Sequence, residues 1–143
     1  MNKADLLRKF YEDVWVKNNL DAIDLYFSAN AEAGGIIPEM SFGPDEFREL
    51  VFAVRNLLGE IDIDMPIVIE NGEWAAGIIK ARTSRADNGA PVEVTGQTMA
   101  RFEGDKLVEA YNQFDYVSLF EQLGQLPPDT LPICMTGQRL AWA

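Results

Sequence analysis

Apolar positions in the first part of the chain recur at helical spacing. Leu6, Leu7, Phe10 and Val14, with Tyr11 beside them, predict an amphipathic helix over residues 3–17. Lys17-Asn18-Asn19 breaks it, and a short second helix is expected over 20–27 with Asn19 as its N-cap. Residues 31–42, which contain Gly34-Gly35 and Pro38, read as irregular, with short strands flanking the breaks. Gly43-Pro44-Asp45 opens a third helix, because proline in a first turn gives up no hydrogen bond and Asp45 and Glu46 suit the positive helix start. Its buried stripe is Phe47, Leu50, Val51, Val54 and Leu57 or Leu58, and Gly59 ends it.

From Ile61 the period changes from helical to alternating. Ile61, Ile63, Met65, Ile67 and Ile69 form the first long strand, closed by an Asn71-Gly72 turn. Further strands are expected over 73–85, 92–103 and 106–116, with turns at 87–91 and at Gly104-Asp105. A closing helix is expected over 117–123, and Pro127, Pro128 and Pro132 predict an extended tail over 126–143. Helices followed by an antiparallel meander give an α+β class, with the N-terminal helices packed over the concave face of a curved sheet. The hollow of such a sheet is a natural pocket.

A two-residue turn at Gly104-Asp105 pairs Glu103 with Lys106 and sets Thr98 opposite Tyr111, Gly96 opposite Gln113 and Val94 opposite Asp115. Leu107, Glu109, Tyr111, Gln113 and Asp115 then share one face, and Val108, Ala110, Asn112 and Phe114 the other. A one-residue slip would exchange the faces. Asp115 is the residue singled out for chemistry. A carboxylate among Phe114, Tyr116 and Val117 loses hydration, which suits it to accept and return a proton. The alternative is that Asp115 caps the closing helix, and from spacing alone that alternative is favoured. Tyr11 and Trp15, one helical turn apart, and Phe47 are candidate pocket walls, as they are equally candidate core residues. Thr98, Tyr111 and Gln113 are candidate hydrogen-bonding groups, and Glu109 is either a second buried carboxylate or a solvated one.

Composition narrows the chemistry. The 143 residues hold 12 Lys and Arg against 23 Asp and Glu, a net charge of −11, which disfavours nucleic acid and anionic membranes as partners. There is no histidine, which removes the commonest general base and metal ligand and with it any Ser-His-Asp or Cys-His mechanism. A single cysteine, Cys134, excludes an intramolecular disulfide. Acidic Asp5, Glu12 and Asp13 do not fit a signal peptide, and a cytoplasmic location is expected. With no repeat or low-complexity linker, residues 1–143 read as one domain.

Several stretches carry a resemblance. Phe10-Tyr11-Glu12-Asp13-Val14-Trp15, then Asn19-Leu20-Asp21-Ala22-Ile23, then Gly43-Pro44-Asp45-Glu46-Phe47 appear in order. Gly104-Asp105-Lys106-Leu107-Val108-Glu109 follows, leading to Tyr111, Asp115 and Gln122-Leu123-Gly124. In order and spacing the chain to about Pro128 resembles the SnoaL-like polyketide cyclases, within the superfamily shaped like nuclear transport factor two. The resemblance implies a cone-shaped α+β fold, often dimeric through its sheet, with no metal or organic cofactor. It implies that the Asp matching Asp115 acts as acid/base in closing a ring. Two departures stand out: residues 30–34 and 82–85 lack the histidines many members carry there, and Tyr111 stands where Trp is usual.

Three functions compete. One is a cofactor-independent cyclase or isomerase acting on a small apolar carbonyl compound, with Asp115 as acid/base. Another is a non-catalytic binding domain for such a molecule. The last is a dimeric interaction module, with Ala110, Asn112, Phe114, Gln97 and Met99 as an outer patch.

Overall fold

The computed structural model describes residues 1–141. Helix α1 (Lys3–Tyr11) starts at Asn2, whose side-chain oxygen accepts from the Asp5 amide at 2.8 Å. It does not run on as α-helix to residue 17. Residues Glu12–Val16 form a π-helical turn, in which the Lys17 amide donates to the Glu12 carbonyl five residues back. Tyr26 donates to Asp13 at 2.6 Å and ties this turn to α2 (Ala22–Tyr26). That bond holds the Asp13 carboxyl below its usual range. Asn19 does not cap α2. Asp21 holds the cap position without a side-chain bond, and Asn19 contributes its backbone carbonyl to the Ala22 amide.

The segment expected to be irregular contains β1 (Phe27–Gly34), which pairs in parallel with the last strand. Gly35 follows with φ +80°, and a Cβ there would lie 2.3 Å from the Asn112 carbonyl oxygen, so only glycine lets the chain turn this close to the sheet. Helix α3 (Pro44–Arg55) has proline in its first turn and buries Phe47 and Val51. Strands β2 (Asp62–Asn71), β3 (Trp74–Ser84), β4 (Pro91–Glu103) and β5 (Lys106–Phe114) form the antiparallel meander. The sheet order is β1-β5-β4-β3-β2. Helix α4 (Tyr116–Gln122) follows β5.

Two further readings of the chain need correction. The tail is not wholly extended, since Thr130–Met135 forms a short helix, α5. Pro132 lies in its first turn, where the missing N–H would have had no intrahelical partner. The β4–β5 register also differs. Glu103 pairs with Lys106, but Phe102 pairs with Leu107 and Arg101 with Glu109, which leaves Val108 as an extra residue on β5. This bulge slips the remaining pairs by one. Thr98 therefore faces Asn112 rather than Tyr111, and Gly96 faces Phe114 rather than Gln113.

The main core lies between the sheet and the helices. Phe10, Phe27 and Phe47 form its centre, with ring centroids 5.0 to 5.9 Å apart. A smaller core of Val92, Leu119 and Leu123 sits under α4.

Candidate functional site

The concave side of the sheet holds two adjoining lobes. The smaller, of about 20 Å³, is lined among others by Phe10, Phe47, Thr98, Ala110 and Asn112. The larger, of about 70 Å³, is walled by Val54, Leu58, Ile61, Ile79, Thr83 and Leu119. Tyr11, Trp15, Phe114 and Tyr116 line both. The two lobes together stay below the roughly 150 Å³ in which an engineered apolar cavity holds benzene. A ligand of one ring must therefore press on the four shared aromatic residues or project between lobes.

The polar groups of the hollow come from three elements. Thr98 on β4 donates to Asn112 Oδ1 on β5 at 2.8 Å. Tyr11, at the end of α1, donates to the same oxygen at 3.4 Å, the long limit of a hydrogen bond. Asn112 Nδ2 donates to the Gly34 carbonyl at 3.3 Å. Burial pushes the Tyr11 phenol well above its usual range, so it stays a neutral donor. Burial also raises Tyr116. No Asp or Glu lines either lobe among the described residues. Nor do three Asp, Glu or Cys side chains converge there as metal ligands would.

The expected site residues divide between two faces. Tyr11, Trp15, Phe47 and Thr98 line the hollow. Glu109, Tyr111 and Gln113 lie on the other face because of the Val108 bulge. There Glu109 accepts from Arg101 at 2.6 Å and from Tyr111 at 2.7 Å. Arg101, then Tyr111, hold its carboxyl below the usual range. Tyr111 is 53 % exposed and stacks against Trp74 at 6.4 Å. Of the expected outer patch, Gln97 and Met99 lie on the outer face with Ile67, Ile69, Tyr111 and Gln113, whereas Ala110 and Phe114 turn inward and Asn112 is buried. Asp115 is exposed and forms the N-cap of α4, its Oδ1 accepting from the Ser118 amide at 3.0 Å. It lies in the chain between Phe114 and Tyr116, both cavity residues, but does not itself line a lobe.

Asn112 and Phe114, expected on the outer patch, line the hollow instead, as do Tyr116 and Thr83, which were not expected at the site. The available signal was Asn112 itself, a lone amide in the otherwise apolar series Ala110, Asn112, Phe114.

Comparison with known proteins fits this architecture. The family described as SnoaL-like polyketide cyclase matches residues 5–123. The chain belongs to that family. A search of curated proteins finds no match. Among solved structures, the SnoaL-like chain resembles a protein of Acidithiobacillus ferrooxidans assigned as a polyketide cyclase, at 18% identity and TM-score 0.72, covering 87% of this chain and 99% of the other. IdmH from Streptomyces antibioticus, also assigned as a polyketide cyclase, gives 15% identity, TM-score 0.74 and coverage of 86% and 99%. AclR from Streptomyces galilaeus, assigned as a hydroxylase, gives 14%, 0.76 and coverage of 95% and 91%. At such identities the likeness is one of fold. The open five-stranded sheet with helices over its hollow is the SnoaL-like form of the nuclear transport factor two fold.

Proposed function

We propose that this SnoaL-like domain binds a small apolar carbonyl compound in its hollow, with the Tyr11 hydroxyl donating to the carbonyl oxygen. The observation that carries this reading is a buried neutral phenol, facing both lobes, whose hydrogen bond to Asn112 is long. Asn112 Oδ1 keeps its shorter bond to Thr98 when Tyr11 turns to a ligand, so the exchange leaves no buried acceptor bare. The remaining walls of the larger lobe are almost wholly apolar and favour a ring or alkyl body. The test compares acetophenone with ethylbenzene, which lacks the oxygen, by calorimetric titration. Wild type should prefer the ketone about tenfold, and Tyr11→Phe should remove that preference. Equal binding of both compounds to wild type would leave only an unselective apolar hollow.

A second reading is catalytic: a cyclase- or isomerase-type reaction with Asp115 as acid/base. Family membership favours it, as does the position of Asp115 between two cavity residues. Such chemistry begins when a carboxylate takes a proton from the carbon beside the carbonyl, leaving an enolate that Tyr11 would stabilise. In D2O the enolate recovers a deuteron, so the methyl protons of acetophenone should exchange, as seen by NMR. Asp115→Asn, which keeps a good N-cap, should abolish the exchange. Exchange that persists in this variant, or none in wild type, sinks this second reading.

We further propose that the chain pairs with a second copy through the outer sheet face, where Ile69 is 65 % and Met99 50 % exposed. The net charge of −11 supports neither nucleic acid nor an anionic membrane as partner. No helix among the described residues is long and apolar enough to cross a membrane. The free, exposed Cys134 fits a cytoplasmic location.

A further inference from the structure

The floor of the larger lobe is β3, whose inward residues Ile79, Ala81 and Thr83 follow one another along it. Their span is about 13 Å of extended strand. Thr98 pairs with Gly77 on the same strand, so the Tyr11–Thr98–Asn112 cluster stands at one end and Thr83 at the other. The Thr83 hydroxyl oxygen is buried and has no hydrogen-bond partner among the described residues. Leu58, Ile61 and Leu119, which wall the same lobe, offer no polar side chain. A trapped water would need two or more polar partners, and Leu58, Ile61 and Leu119 supply none. Valine would fill the same space in a strand without a stranded hydroxyl, so strand preference alone does not account for threonine here.

We propose that Thr83 is a specificity residue that selects ligands bearing a second oxygen at the end of the apolar body remote from the carbonyl. The proposal rests on the reading of this hollow as a carbonyl-binding site. It narrows the ligand class to compact molecules with two oxygen functions at opposite ends, one carbonyl and one hydroxyl or carbonyl. The Thr83 hydroxyl can donate to either, or accept from a hydroxyl.

The test uses acetophenone and para-hydroxyacetophenone on wild type and on Thr83→Val, which keeps the shape and removes the hydroxyl. Wild type should bind the hydroxylated ketone about tenfold more tightly. Thr83→Val should bind both alike. Its melting temperature should not fall, because no existing hydrogen bond is lost. Equal affinities in wild type, or a preference retained in Thr83→Val, would overturn the proposal while leaving the carbonyl site standing. A melting temperature lowered by several degrees would overturn it as well, by showing the hydroxyl already partnered. If wild type binds neither ketone, the carbonyl-binding reading fails and takes this proposal with it.

Discussion

Tyr11 is a phenol placed where ionisation is strongly disfavoured and its hydrogen bond is weak. Such a group polarises a carbonyl without exchanging a proton with it, whereas Asp115, the acid/base of the second proposal, stands at a helix cap outside the lobes. The proposed binding and the proposed proton transfer involve separate residues, which is why the ketone-preference and deuterium-exchange experiments can give different answers. Tyr11, Trp15 and Phe47 were legible as inward residues because helical spacing fixes which side of a helix is buried. Asn112 was not, since its facing depends on pairing with a neighbouring strand, and one extra residue reverses it. Thr83 gave no signal at all. A threonine in a strand is ordinary, and only burial without a partner sets it apart.

At the scale of elements, two local irregularities shape the hollow. The π-helical turn after α1 ends the regular helix between Tyr11 and Trp15, both of which line the lobes. The Val108 bulge turns Asn112 and Phe114 inward and sends Glu109 and Tyr111 out. Neither has a residue signature as clear as the Pro44 helix start or the Gly104-Asp105 turn, which is why β5 could be read from the chain and its facing beyond Val108 could not. Gly96 completes the arrangement: a Cβ there would lie 2.3 Å from Phe114 Cδ1. Gly96→Ala should therefore displace the Phe114 ring, destabilise the fold by about 1–3 kcal/mol and weaken acetophenone binding. Chemical denaturation together with the same titration checks this, and unchanged stability would mean that Phe114 relaxes freely.

For the whole molecule, the curved sheet presents two faces with different expected partners. The small molecule is proposed for the concave face, and a second copy of the chain for the convex face, where Ile67, Ile69 and Met99 are exposed. Light scattering should give twice the 16.0 kDa chain mass, falling to that of a single chain in Ile69→Asp. A wild type that stays monomeric at high concentration would remove the convex face from this account. The most direct test of the central claim, a ligand inside the hollow, is methyl NMR of isoleucine-labelled protein during titration with acetophenone. Ile61, Ile63 and Ile79 line the larger lobe, and Ile67 and Ile69 lie on the opposite face. The account predicts saturable shifts of the Ile61, Ile63 and Ile79 methyls with Ile67 and Ile69 unmoved. Shifts confined to Ile67 and Ile69 would contradict it and place the ligand on the outside of the sheet.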